Sequence, residues 1–92
     1  MPAEVVKVVI KSEVSSKMFR VYIDGVRVIF KNGLAWLGVP SREGEHVLMW
    51  FLRDRPGMTY RLDLTEPAKV KMSYKSTLDI SGMDAGIYWF KV

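Results

Sequence analysis

MFRVYIDGVRVIFKNGLAWLGV, residues 18–39, contains the two strongest turn signals of the chain. Asp24-Gly25 and Asn32-Gly33 favour two-residue type I′ turns, because both central residues of that turn need positive φ. Both dipeptides are flanked by segments in which apolar and polar residues alternate, as they do in half-buried strands. The stretch therefore predicts a three-stranded antiparallel meander.

The two turns and the alternation predict the same register. Around Asp24-Gly25, Ile23 would face Val26, and around Asn32-Gly33, Phe30 would face Ala35. A shift of one residue would move the whole apolar set to the other side of the sheet. The set on this face comprises Phe19, Val21, Ile23, Val26, Val28, Phe30, Ala35, Leu37 and Val39.

The opposite face of the predicted meander mixes basic, aromatic and aliphatic residues. Basic side chains beside aromatic ones are typical of single-strand nucleic-acid binders. Ile29 and Leu34 have no role in base stacking, so we favour a face covered by another sheet or subunit. Stacking of Tyr22, Trp36 or Trp89 on a sugar ring is a third interpretation. The candidate binding residues are Arg20, Tyr22, Arg27, Ile29, Lys31 and Trp36.

The rest of the chain also alternates like a β protein. HVLMWFLR at 46–53 is nearly all apolar, which predicts a central strand covered on both faces. Residues 58–64 and 68–75 alternate clearly, and 4–11 and 87–92 would add two more strands. The predicted fold is all-β, a single antiparallel β-sandwich domain of about seven to eight short strands spanning residues 1–92. The predicted core includes Phe19, Val21, Val28, Phe30, Leu37, Leu48, Trp50, Leu62, Val70 and Tyr88.

Composition favours an interaction protein. Of 92 residues, 49% are hydrophobic, which is a large apolar supply for so small a core. We therefore expect a shared interface, with a homo-oligomer or another protein as partner. The net charge of +4 is compatible with nucleic acid but is scattered along the chain. No stretch is long and apolar enough to predict a membrane span, no signal peptide is recognisable, and the compartment is not indicated.

Catalytic and metal-binding patterns are weak. The absence of cysteine excludes disulfides, thiol catalysis and Cys-ligated metals. His46 is the single histidine, and with Glu43 and Glu45 it would make only a loose metal-ligand group. Asp24 and Asp84 are expected to serve turns rather than a catalytic pair. We predict no enzyme activity, no catalytic residues, no metal site and no cofactor.

Two segments resemble immunoglobulin-like domains. LDI at 78–80 followed by DAGIY at 84–88 resembles the strand E to strand F passage of that family. The resemblance implies that the Tyr88 hydroxyl bonds backbone upstream, in a tyrosine corner. WFLRDRPG at 50–57 is similar to the family's strand C, with Trp50 as the core tryptophan. The chain departs from the family in having no cysteine, and Val92 stands where a final strand would follow.

The sequence thus predicts a non-enzymatic protein-interaction or self-associating module. Its contact surface would be the face with Tyr22, Arg27, Ile29 and Trp36, or the terminal strand 87–92. The alternative is a basic domain that binds single-stranded nucleic acid through the same face.

Overall fold

In the residues that the structure describes, eight strands form two antiparallel four-stranded sheets that pack together, as the alternation predicts. The structure is a computed structural model, and it describes residues 5–14, 18–40 and 45–91. The strands are β1 (Val5–Glu13), β2 (Met18–Ile23), β3 (Val26–Arg27), β4 (Leu34–Pro40), β5 (His46–Arg53), β6 (Thr59–Glu66), β7 (Met72–Thr77) and β8 (Met83–Phe90).

The two sheets are built from strands that are distant in sequence. Sheet 1 has the order β4-β1-β6-β7, and sheet 2 has the order β3-β2-β5-β8. Sheet 1 therefore needs β1 to pair with both β4 and β6. Sheet 2 is centred on β2 and β5, with β8 at one edge. The all-β sandwich is confirmed.

Both predicted turns have the expected backbone. Asp24 and Asn32 have φ of 50° and 54°, and the glycines that follow have φ of 81° and 76°. In the first hairpin Ile23 faces Val26, as the register predicts. Val26 is nevertheless 53% exposed, because β3 is only two residues long and lies at the edge of its sheet.

The three-stranded meander is wrong in its last strand. After the Asn32-Gly33 turn, only the bridge between Lys31 and Leu34 continues the ladder. Strand β4 then crosses to sheet 1 and pairs along its length with β1. Ala35 and Val39 are buried in sheet 1, and the predicted meander would also turn them inward, so the apolar pattern does not distinguish the two sheets. The pattern predicted which side faces inward, but not which sheet receives the strand.

The core lies between the sheets and contains every residue predicted for it. Val21, Val28, Leu48, Trp50, Leu62 and Val70 are buried, and Phe19, Phe30, Leu37 and Tyr88 pack partly buried against them. Strand β1 adds Val8 and Ile10, which are fully buried. The remaining buried apolar residues are Ile23, Ala35, Val39, Leu52, Tyr60, Leu64, Leu78 and Phe90.

Two element boundaries differ from expectation. Residues Ala68–Val70 form a 3₁₀ turn, and β7 begins only at Met72 rather than at 68. The last strand begins at Met83, four residues before the predicted start at 87. Helical structure in the described ranges is limited to short elements, none of which could cross a membrane.

Candidate interaction surface

The outer faces of the two sheets differ in chemistry. Sheet 1 turns mostly charged and hydroxyl side chains outward, and Arg61 and Asp63 form an ion pair there at 2.9 Å. Among the side chains that the structure describes, Leu34 and Trp36 on the edge strand β4 are the large exposed apolar residues of this face. The polar residues of the face are Lys7, Lys11, Glu13, Thr59, Arg61, Asp63, Ser73, Lys75 and Thr77.

The outer face of sheet 2 is apolar and basic. Met49, Ile87 and Trp89 are 45%, 53% and 56% exposed, and they belong to neighbouring strands. The charged residues at the outward strand positions are arginines, and no carboxylate occupies such a position in these four strands. The residues of this face are Met18, Arg20, Tyr22, Arg27, Val47, Met49, Phe51, Arg53, Met83, Ala85, Ile87 and Trp89.

Cross-strand pairing arranges this face in rows. Arg27 faces Tyr22 on β2, and Tyr22 faces Met49 on β5. Met49 in turn faces Ile87 on β8, so one row runs across the whole sheet. A neighbouring row pairs Arg20 with Phe51 and Phe51 with Ala85. Side chains that are direct cross-strand neighbours lie close enough to form one continuous surface.

The predicted binding residues do not share one face. Arg20, Tyr22 and Arg27 lie together on sheet 2, whereas Trp36 lies on the outer face of sheet 1. The crossing of β4 separates them. Lys7 Nζ lies 5.4 Å from the centre of the Trp36 ring, a cation–π distance.

Ile29 and Lys31 lie between the two groups. Ile29 is 69% exposed on the segment that connects the sheets, and Lys31 is exposed beside the Asn32-Gly33 turn. Arg20, Arg27 and Ile29 do meet around an open cleft of about 360 Å³ at this side of the sandwich. Three of the six predicted residues therefore line one cleft.

Strand β5 is covered on one face only within the chain. Its inward residues Leu48, Trp50 and Leu52 are buried, but Met49 and Phe51 are 45% and 38% exposed. The prediction of a strand covered on both faces is therefore wrong for the described chain. Sequence reasoning missed Met49 and Phe51 as surface residues, because an all-apolar strand does not show which side is open.

His46 is completely buried and bound to a turn. Its Nδ1 lies 2.5 Å from Asp24 Oδ2, and Asp24 Oδ1 accepts the Val47 N–H at 3.0 Å. The ring also packs against Phe90, with ring centres 5.6 Å apart. Asp24 thus serves the turn as predicted and, in addition, anchors the start of β5.

Asp84 lies in a hydrogen-bond network between the sheets. Tyr60 and Tyr74 from sheet 1 donate to Asp84 Oδ2 at 2.7 and 3.2 Å. Trp50 Nε1 donates to the Tyr60 hydroxyl at 3.0 Å. Burial, together with the hydrogen bond to Asp84, raises the pKa of Tyr60 well above its ordinary value. The network joins two sheets through four side chains, so its role is structural.

Other sequence-based expectations involve single contacts. The Tyr88 hydroxyl donates to the Val70 carbonyl at 3.4 Å. This carbonyl lies upstream, but beside the 3₁₀ turn rather than in the turn before β8.

Glu43 lies outside the described residues, so the structure describes only Glu45 and His46 of the predicted metal-ligand group. Within the described ranges, no three His, Asp or Glu side chains converge as metal ligands would.

Comparisons with known proteins leave the surface without an assigned role. No protein-family model matches the chain, and no match is found among curated proteins or among solved structures.

Proposed function

We propose that this chain is a non-enzymatic interaction module that binds protein through the outer face of sheet 2. The observation that supports it is the contrast between the two outer faces, one polar and one apolar. Exposed apolar surface that spans several strands is typical of binding sites on small proteins. An immunoglobulin-like relationship stays a prediction that rests on residues 50–57 and 78–88.

The composition of the face also favours a protein partner. Interfaces are enriched in aromatic residues, Met and Arg and depleted in Lys, Glu and Asp. Tyr22, Phe51 and Trp89 supply aromatic surface here, and Met49 lies between Tyr22 and Ile87. The most buried part of such an interface would be this central row, with the arginines toward its rim.

Single-stranded nucleic acid is the second candidate. Tyr22 lies directly across from Arg27 and on the same face as Arg20, so an aromatic ring and cationic groups are adjacent. Bases would stack on Tyr22 and phosphates would bind the arginines. Met49 lies in the middle of the face and Ile87 lies next to it on β8, and neither side chain contributes to such binding, so we favour protein.

A protein-capture experiment with three versions of the chain tests the proposal. Wild type, Phe51→Lys and the control Ile80→Lys are immobilised, and nuclease-treated extract is passed over each. Ile80 is a suitable control because it is 94% exposed, lies outside the strands and accepts the same substitution. Each protein retained by wild type is then purified and titrated against all three versions.

We expect Phe51→Lys to weaken binding at least about tenfold, because it buries an ammonium group in the centre of the interface. Ile80→Lys should bind like wild type. Equal binding by all three versions would contradict the proposed face.

The nucleic-acid alternative is tested by anisotropy with labelled single-stranded oligonucleotides at several salt concentrations. If it holds, Arg27→Ser should reduce the slope of log K against log salt by about 0.7, the value for one lost phosphate contact. Binding that is absent, or that has the same slope with Arg27→Ser, would exclude this role for the face.

A further inference from the structure

The edge of sheet 2 formed by β8 has an open backbone whose extent follows from the hydrogen bonds of β5. Asp24 N–H donates to the Val47 carbonyl at 2.9 Å, and Asp54 N–H donates to the Gly82 carbonyl at 2.8 Å. In an antiparallel ladder, alternate residues bond to opposite neighbours. Odd-numbered residues of β5 therefore bond toward β2, and even-numbered residues bond toward β8.

The register of β5 with β8 then divides β8 in the same way. Trp50 pairs with Gly86 and Leu48 pairs with Tyr88, so the even-numbered residues of β8 bond to β5. The backbone groups of the odd-numbered residues point to the open edge. These residues are Met83, Ala85, Ile87 and Trp89.

The first half of this edge is closed by local side chains. Ser81 Oγ accepts the Met83 N–H at 3.2 Å and donates to the Met83 carbonyl at 3.4 Å. Asp84 Oδ1 accepts the Ala85 N–H at 2.9 Å. In the described part of the chain, the N–H groups of Ile87 and Trp89 have no such acceptor. The open stretch is therefore Ile87 to Trp89.

The other edges have features that discourage pairing. Strand β3 is two residues long, β4 ends at Pro40, and β7 has Lys71 before it and carries Lys75. Short length, proline and lysine are common protections of an edge strand. Strand β8 contains no Lys, Arg or Pro from Met83 to Phe90, and its register with β5 is uninterrupted.

We propose that a second copy of this chain docks antiparallel on β8, with Ile87 opposite Trp89 of the second copy and Tyr88 on the two-fold axis. Each of the two Ile87–Trp89 pairs exchanges two backbone hydrogen bonds, which gives every open N–H group of both edges an acceptor. The inference rests on the proposed interaction function, because Ile87 and Trp89 also belong to the outer face of sheet 2.

The side chains in this register are compatible with one another. The apolar side chains of Ile87 and Trp89 become cross-strand neighbours, a favourable aromatic–β-branched pair. Counting outward from the axis places Ala85 opposite Lys91 of the second copy, so no like charges face each other. Stacking two outer faces would form no pair of opposite charges, because the charged residues at the outward strand positions of sheet 2 are arginines. A second copy of the chain is therefore better accommodated at the β8 edge than on the outer face of sheet 2.

The proposed contact is small, so the dimer should depend on concentration in the micromolar range or above. Sedimentation equilibrium on wild type should show the mass rising toward that of two chains. Ile87→Pro removes an N–H that β5 does not use, and proline is tolerated at such edge positions. We expect this variant to stay at the mass of one chain. Circular dichroism verifies that it is folded.

Phe51→Lys is the matched control, because it alters the outer face on a strand whose backbone is paired on both sides. It should dimerise within about threefold of the wild-type dissociation constant. Dimerisation of Ile87→Pro together with a monomeric Phe51→Lys would overturn the β8 contact in favour of face stacking. That result would leave the proposed function of the face intact.

Amide hydrogen exchange on wild type provides a measurement that needs no variant. Raising the protein concentration should slow exchange at Ile87 and Trp89 several-fold and leave Met83 and Ala85 unchanged. A wild-type chain that remains monomeric at the highest concentration, or exchange that slows nowhere on β8, would overturn the inference. The capture experiment with Phe51→Lys would then still decide the proposed function independently.

Discussion

Tyr60 and Asp84 join the two sheets through a hydrogen bond of 2.7 Å between the phenol and one carboxylate oxygen. Tyr60 belongs to β6 in sheet 1 and is 1% exposed, and Asp84 belongs to β8 in sheet 2. Hydrogen bonds between a phenol and a carboxyl group are among the shorter and stronger ones in proteins. The pair therefore links the two sheets directly, in addition to the apolar core between them.

Removal of the Tyr60 hydroxyl should destabilise the domain measurably. Tyr60→Phe leaves Trp50 Nε1 without its acceptor and removes a donor from Asp84. We expect a loss of about 1–3 kcal/mol in the free energy of unfolding, measured by urea denaturation. Tyr74→Phe is the control, because its bond to Asp84 is longer, at 3.2 Å, and its side chain is less buried than that of Tyr60. A larger loss for Tyr74→Phe than for Tyr60→Phe would contradict this ranking.

Ionisation of the same hydroxyl should lower the stability of the domain in alkaline solution. Burial and the bond to Asp84 raise the pKa of Tyr60 in the folded state above that in the unfolded chain. The contribution is fully present below the unfolded pKa of about 10 and is lost as pH rises above it. Unfolding free energies between pH 8 and 11 should therefore fall more steeply for wild type than for Tyr60→Phe. Parallel curves would show that Tyr60 ionises equally easily in both states.

Substitution of Asp24 should destabilise the domain more than its position in the turn alone would predict. Asp24→Ala removes the acceptor of the Val47 N–H and the partner of buried His46, and it puts alanine at positive φ. We expect a loss of about 2–4 kcal/mol by thermal or urea unfolding. Asn32→Ala is the matched control: it has the same φ in the same type of turn, and its loss should be about 1–2 kcal/mol. Equal losses would mean that neither the His46 contact nor the bond to the Val47 N–H contributes to stability.

Gly86 should tolerate no side chain. A Cβ at this position would overlap the indole of Trp50, which covers it from the adjacent strand. Gly86→Ala must displace a buried tryptophan, so we expect a loss of about 3 kcal/mol or more, with a red-shifted Trp fluorescence. Ala85→Val, one residue earlier and on the outward side, should change stability by less than about 0.5 kcal/mol. A Gly86→Ala variant as stable as wild type would show that the core can rearrange there.

Local sequence signals predicted the local structure of this chain well. The two turns, the inward set of residues 18–39 and the alternation of β6 all depend on neighbours a few residues apart. The core residues followed from the same alternation, since a period of two assigns each side chain to one side of a strand. Trp50 and Leu62 are examples, and both are buried.

The surface and its residues depended on long-range pairing, which alternation does not encode. Trp36 was grouped with Tyr22 because a continued meander would place them on one face, but β4 pairs with β1 instead. His46 was expected at the start of a strand, but its burial depends on Asp24, 22 residues earlier. Asp84 was assigned to a turn, although its partners come from two strands of the other sheet. To predict the surroundings of these three residues, one must know the order of the strands in the two sheets.

The pairing of β1 with both β4 and β6 also has a consequence for biosynthesis. Val9 lies opposite Trp36 on one side and Glu66 on the other, so β1 is a central strand whose second neighbour is made much later. A ribosome that adds about 5–20 residues per second would leave the first strand unpaired on that side for several seconds. Contacts this distant in sequence also fold slowly. We expect the nascent chain to depend on chaperones until β6 has emerged.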